Sequence, residues 1–367
     1  MFSVVLALFG FLSTTAIVGA PLFIVIVLAS FLVGRQYINK YLIFVAIFCI
    51  FASFLGILFA TVNGGYYGDY ASTGSSGLVF PLAILIGLLS IFVVNIKYLN
   101  TLLLLIAFEV IVGYLEYYLG VRSILGVEFK GEVEFGDVDY LNGNRVFGLG
   151  YNSSAFALKF LFGVVILCYL KLTKNLKYYH YICLFLFIAG FYVNFSRTSF
   201  LSFCFGLLIF IYLHSVRLLL LSLVSIILSY SILLGIFLYE FTRGSGQLDL
   251  SGRDFIFPIF VKFIAEHPWL GNFGYKYYMT VGDGVYHAHN SYLQVAATSG
   301  IPFLIAIIAF IFYLSKINLI VICIPLFMYS TFQYGIFWGM SLYDQILFFI
   351  LFSQAFKVIG KNKFFKI

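Results

Sequence analysis

His287-Ala288-His289-Asn290 sets two imidazoles a residue apart, just before a long apolar run. Histidine titrates near neutral pH, so either ring could take a proton from an attacking hydroxyl. His-x-His also suits zinc, but no Cys and no second His cluster completes such a site, and a surface pair with no role is a further reading. Asn290 has the chemistry of an N-cap for the helix that follows. Four arginines, Arg145, Arg197, Arg243 and Arg253, form the second set. Arg197 stands in Phe195-Ser196-Arg197-Thr198-Ser199, a tight break between two apolar stretches. Guanidinium stays charged and presents a planar donor fork, so several could converge on a phosphate or diphosphate. Snorkelling to an interface, or pairing with a carboxylate, is the competing account of each.

The elements that must position these groups are almost all apolar. The chain is 63% hydrophobic and only 10% charged, where a soluble domain carries about a quarter charged residues. Apolar runs separated by short polar breaks read as membrane helices. Membrane strands are excluded because runs such as Leu218 to Leu238 are too long and lack a period of two. The expectation is an all-α polytopic membrane protein with about twelve spans. They fall near 2–17, 21–34, 41–62, 78–94, 101–119, 155–170, 179–195, 198–213, 218–238, 291–314, 317–336 and 340–356. The first two are close enough that one long tilted helix from Phe2 to Val33 also fits. Residues 1–367 are expected to form one polytopic domain, with a large periplasmic loop at 239–290 between the ninth and tenth spans.

Charge sets the orientation. With a cytoplasmic N-terminus, the inner loops and tail hold Arg35, Lys40, Lys97, Lys171, Lys174, Lys177, Arg217, Lys316, Lys357, Lys361, Lys363 and Lys366, and no acidic residue. That is the pattern of the positive-inside rule, with both termini cytoplasmic and the 239–290 loop outside. The formal charge of +7 therefore reports topology, and no basic run with interleaved aromatics suggests nucleic acid. The five cysteines lie in apolar segments, so neither a disulfide framework nor a metal cluster is indicated. Val18-Gly19-Ala20 resembles a signal cleavage site, but no basic residue precedes the apolar run, so cleavage is not expected.

Within the outer loop, Phe255 to Ile264 reads as a short helix lying along the membrane surface, capped by Ser251 with Asp254 and ended by His267-Pro268. Pro258 would kink it or mark its start. Asn63 to Gly77 looks like a Gly/Ser connector, and Gly120 to Ser154 is an acidic outer loop. Glu109 and Glu116, seven residues apart on one helix face, and Asp344 are ionisable groups at membrane depth. They are either structural ion pairs or the proton path of a transporter.

Laid out in this order, the chain resembles the O-antigen ligase and polymerase superfamily. The likeness rests on Ser196-Arg197-Thr198-Ser199, on Ser251-Gly252-Arg253 with His267-Pro268-Trp269-Leu270-Gly271-Asn272-Phe273-Gly274, and on His289-Asn290 followed by Gly300. Arg145-Val146-Phe147-Gly148 with Tyr151-Asn152-Ser153-Ser154-Ala155 is similar to a fourth element. The resemblance implies metal-independent glycosyl transfer, without a cofactor, from an undecaprenyl-diphosphate-linked oligosaccharide at the periplasmic face of a bacterial inner membrane. On it, Arg197 and Arg253 would bind the diphosphate, His289 would activate the acceptor hydroxyl, and His287 would be the fallback. Arg145, Arg243, Asn290 and Trp269 would bind substrate. The acceptor would be a lipid-linked repeat unit in a polymerase or lipid A-core in a ligase, with a chain-length regulator as a protein partner. Phe303 replaces a small or hydroxylated residue of the ligase pattern, which favours the polymerase. A lipid-linked oligosaccharide transporter and a membrane scaffold remain the readings from other classes.

Overall fold

The computed structural model describes residues 1–15, 22–34, 40–67, 78–120, 123–124, 127–128, 146–150, 153–194, 196–228, 252–281 and 284–359. The expected sites Arg145 and Arg243, Ser251, most of the acidic outer loop and the second half of the ninth apolar segment lie outside them. The described chain is mostly helical. In order, the helices are α1 (Phe2–Leu12), α2 (Phe23–Gly34), α3 (Lys40–Val62), α4 (Phe80–Leu89), α5 (Ile96–Leu119), α6 (Ser153–Leu172), α7 (Tyr178–Val193) and α8 (Arg197–His214). Then come α9 (Val216–Leu228), α10 (Arg253–Glu266), α11 (Ser291–Ser299), α12 (Ile301–Leu314), α13 (Ile317–Tyr329) and α14 (Leu342–Ile359). Two short antiparallel ribbons, β1 (Ser123–Ile124) with β2 (Val127–Glu128) and β3 (Met279–Val281) with β4 (Gly284–Tyr286), complete it.

Every apolar segment expected from the sequence carries a helix. Tyr41–Val62, Ile96–Leu119 and Ser153–Leu172 are long and apolar enough, by length and composition, to cross a membrane, and the other apolar helices are shorter, at 10–17 residues. In α3 the split between inside and outside follows helical spacing. Leu42, Val45 and Cys49 are buried, while Phe44, Ile47, Phe51, Phe54 and Leu58 are exposed along the opposite stripe. In a water-soluble protein such a stripe would be a liability; against lipid it costs nothing.

α6 is buried all round, and apolar on every side but that of Lys159, because it is the bundle's central helix with neighbours on its sides. Small residues let its neighbours approach. The Phe187 ring of α7 lies over Gly163 of α6, and the Phe160 ring of α6 lies over Gly190 of α7. Lipid tails are as apolar as these side chains, so close van der Waals contact rather than hydrophobic transfer holds such a pair.

One open alternative is decided and two expectations change. The first two segments are separate helices packed side by side, since a Cβ on Gly10 would meet Ile26 Cδ1 at 3.2 Å. One continuous helix could not fold back in this way. The tenth segment, read as 291–314, breaks into α11 and α12 at Gly300, whose φ of +85° and ψ of 164° lie outside any helix. The eleventh, read as 317–336, stops at Tyr329, and residues 330–341 form an irregular loop.

The two ends of the bundle differ chemically. At one, His180 Nε2 lies 3.1 Å from Asn100 Oδ1, and Lys171 and Lys174 line a recess beside Leu213. At the other, α10, the β3–β4 ribbon, α11 and the 330–341 loop come together. Lys171, Lys174 and Lys177 sit at the first end, and Arg253, His287 and His289 at the second.

Candidate active site

α10 starts at Arg253 behind Gly252, which has φ +77°, and no side chain caps it. Ser251 of the expected Ser251/Asp254 cap lies outside the described residues. Pro258 sits inside α10, and His267 closes it as expected. Its buried face, Ile256, Phe260, Phe263 and Ile264, packs with Met279, Ala288, Ala296 and Ala297. The helix thus turns its apolar side to the rest of the protein, leaving Phe255 and Val261 outside.

The stretch from His267 to Gly274 is a saddle around the C-terminal end of α11. Asn272 N donates to Ala297 O at 2.8 Å and Gly274 N to Thr298 O at 2.7 Å. Ile301 N donates to Pro268 O at 2.8 Å. Carbonyls in the last turn of a helix have no partner within it, and the saddle supplies them. Gly271, Phe273 and Gly274 all take positive φ to make this wrap. Trp269 projects from it 76% exposed. It stands at the end of α11 opposite the histidines, about 13 Å away along the helix axis.

At the N-terminal end of α11, Asn290 is the cap its chemistry suggested. Its Oδ1 accepts from Tyr292 N at 2.9 Å and Leu293 N at 3.0 Å, while its Nδ2 donates to Thr331 O at 2.9 Å. Immediately before it, His289 takes φ +47°, uncommon for a residue with a Cβ. That turn folds its main-chain N–H onto Nδ1 of His287 at 3.1 Å. The two rings lie 4.1 Å apart, centroid to centroid. Behind them Gln294 Oε1 accepts from Ala288 N at 2.9 Å.

The opposite wall is the 330–341 loop, of which only 337–339 was expected to lie between spans. Ser291 Oγ accepts from Gly335 N at 3.1 Å and Ile336 N at 3.2 Å, and Ser291 N donates to Ser330 O at 2.9 Å. Gln333 Oε1 lies 3.2 Å from His289 Nδ1. Arg253 Nε donates to Phe332 O at 2.9 Å. Adjacent residues of one loop thus hold the arginine and the imidazole. Tyr334 and Trp338 stack at 4.1 Å and present edges to His287. The run Ser330-Thr331 with Gln333 and Gly335 was the signal that could have revealed the loop, since it is polar and glycine-bearing where a span should be neither.

Electrostatics tie the cluster together. His287 is pushed down to about 3 by burial, then by the neighbouring His289, Lys276 and Arg253 charges. His289 is also held below the ordinary imidazole value, by burial and Arg253, with the Gln333 contact opposing. Both rings are therefore neutral at pH 7. Arg197 begins α8, and Ser199 in the same turn reaches the Tyr329 hydroxyl at the end of α13, within the field of Arg253. The start of α8 therefore stands beside the loop that carries Gln333.

The deep carboxylates serve the framework. Glu109 pairs with Lys159 of α6 at 2.7 Å, both groups buried, and accepts Leu149 N at 3.0 Å. Glu116 accepts Phe147 N at 3.1 Å and Gly148 N at 2.9 Å. Asp344 accepts Phe337 N at 2.6 Å and Ser341 Oγ at 3.2 Å. Lys159, overlooked in the sequence, supplies the structural ion pair. Among the described residues no three His, Cys, Asp or Glu side chains gather in one place.

The geometry thus joins His287, His289, Asn290 and Arg253, sets the start of α8 near them, and puts Trp269 elsewhere. Residues 182–308 match the family model described as O-antigen ligase. The match runs from α7 into α12 and takes in Arg197, Arg253, His287, His289 and Asn290, but not the 330–341 loop. No curated protein matches the chain.

Proposed function

We propose that this member of the O-antigen ligase/polymerase superfamily is an envelope polysaccharide polymerase. It moves a growing glycan from undecaprenyl diphosphate to a lipid-linked repeat unit, at the periplasmic face of the bacterial inner membrane. The observation that carries this reading is the sharing of one short loop by Arg253 and His289, through Phe332 and Gln333. With Gln333 Oε1 accepting, Nδ1 of His289 holds the ring proton and Nε2 keeps a lone pair.

In the reaction, the acceptor hydroxyl oxygen forms a bond to the anomeric carbon as the bond from that carbon to the diphosphate breaks. The hydroxyl proton goes to His289 Nε2. The departing diphosphate gains negative charge, which Arg253 and Arg197 stabilise as preorganised cations at the edge of lipid. A neutral His289 at pH 7 suits the role, because a ring already protonated could not act as base. Asn290 fixes the geometry of the pair by capping α11, and Arg145 and Arg243, outside the described residues, are assigned to the same substrate. No metal or cofactor has a part in this scheme.

Transfer to lipid A-core, the ligase reaction, shares every donor-side step and is favoured by the matched family's description. A deletion strain separates the two. Core capped with a single repeat identifies a lost polymerase, whereas long chains stranded on undecaprenyl diphosphate identify a lost ligase. Complementation with Arg197→Ala, Arg253→Ala or His289→Ala, each expressed at wild-type level, is expected to leave the defect in place. Activity that survives all three changes, or that EDTA abolishes, overturns the reading.

A further inference from the structure

Between the saddle and β3 the chain runs without regular structure through Lys276, Tyr277 and Tyr278. Gln294 Nε2 pins it by donating to Tyr277 O at 2.7 Å. Lys276 is half-buried, with Nζ 5.0 Å above the Trp338 ring and 5.7 Å above Tyr334. Among the described residues its ammonium has no ion pair and no hydrogen-bond acceptor. Asp344 acts on it only at longer range, and that carboxylate is engaged by Phe337 and Ser341. A partly desolvated cation resting on ring faces is a cation short of an anion.

Its position relative to the histidines is informative. Arg253 meets the 330–341 loop at Phe332, next to the Gln333 that holds His289, whereas Lys276 lies over Tyr334 and Trp338, the rings beside His287. The two cations approach the imidazole pair from different ends. If the arginine end takes the diphosphate, the Lys276 end faces whatever lies on the other side of the reacting bond. Tyr334 is buried and stacks behind Trp338, and the half-buried Trp338 ring is a flat apolar surface of the kind that packs on the C–H face of a sugar ring.

We propose that Lys276 and Trp338, with Tyr334 stacked behind the indole, form the acceptor-sugar subsite, where the ammonium takes an anionic substituent of the acceptor glycan, a carboxylate or a phosphate, and Trp338 takes a sugar face. The assignment rests on His289 as the acceptor's base. Burial lowers the Lys276 ammonium to about 8, with Asp344 opposing, so an anion arriving beside it relieves a cost already present. A compact ammonium on a flexible stem suits a single carboxylate or phosphate, as the planar guanidinium fork suits a diphosphate.

The chain has two tryptophans, so Trp269→Phe leaves Trp338 as the only indole emitter. The full-length protein with that change, purified in detergent, is titrated with glucuronic acid, glucose 1-phosphate, glucose and inorganic pyrophosphate. At least one anionic sugar is expected to shift Trp338 emission saturably, with half-saturation at a concentration about tenfold below that for glucose. Lys276→Met is expected to erase that preference and Lys276→Arg to keep most of it, with circular dichroism unchanged in both. Equal response to glucose and both anionic sugars overturns the ammonium's role. A response to pyrophosphate with none to the sugars puts the diphosphate here and overturns the acceptor assignment. No saturable response to any sugar overturns the subsite. Arg253→Ala distinguishes the two levels of argument, since it is expected to abolish transfer and leave the titration intact. Transfer that persists in Arg253→Ala defeats the catalytic scheme even where Lys276 still selects acidic sugars.

Discussion

The main-chain N–H of His289 donates to Nδ1 of His287 at 3.1 Å. An imidazole nitrogen that accepts carries no proton, so neutral His287 bears its hydrogen on Nε2. Protonating Nδ1 would break this bond and add a charge beside Lys276 and Arg253, which is why the ring resists it. His287 is therefore a fixed, uncharged strut for the turn that presents His289.

That arrangement has a consequence for acid stability. A group whose folded value lies below its unfolded one stays neutral while the unfolded chain takes up a proton. For His287 the interval runs from the ordinary 6.5 down to about 3. Its stabilising contribution is full above the upper value and is lost progressively as pH falls through the interval. The apparent Tm in detergent is expected to drop between pH 7 and pH 5, and His287→Asn to lessen the drop. An unchanged pH slope in that variant would contradict the assignment.

Gly300 separates α11 from α12 with φ +85° and ψ 164°, a region essentially restricted to glycine, and a Cβ there would run into the Trp269 carbonyl. Gly64 has φ +81° but open space around it. Gly300→Ala is expected to cost more than the strain alone, which is about 1–3 kcal/mol. Gly64→Ala should cost only about 1 kcal/mol. Denaturation of both variants in micelles tests the ordering.

Lys159 and Glu109 are both buried, so removing one strands the other in a site with little water. Lys159→Met or Glu109→Gln is expected to destabilise by about 3–5 kcal/mol. The double variant should recover part of that loss, because the desolvation of both charges disappears with them. Additive losses in a thermal double-mutant cycle would show that the two do not act as a pair.

Asp344 lies in the first turn of α14, where the helix dipole favours a carboxylate, and it collects Phe337 N and Ser341 Oγ. Three left-handed residues, Phe337, Gly339 and Met340, depend on that anchor to hold the loop's shape. Asp344→Ala is expected to make the loop cleavable by chymotrypsin at Phe337 or Trp338 and to slow transfer through misplacement of Gln333. Asp344→Asn, which keeps an acceptor oxygen, should do less of both. Equal resistance of wild type and Asp344→Ala to the protease would remove the anchor from the scheme.

The apolar helices were legible because a chain so poor in charge has to satisfy its backbone internally in lipid, and helices do so within each segment. The Asn290 cap and the stop at His267 were legible too, since both depend on side chains within a few residues of the main-chain groups they meet. The break at Gly300 was missed because hydropathy summed over 291–314 outweighed the stop signals Gly300 and Pro302. Lys159 with Glu109, Gln333 with His289, and Lys276 over Trp338 join residues far apart in sequence, and no periodicity marks such pairs. Local hydrogen bonding and hydropathy determined which elements form; helix packing alone decided which side chains share a site.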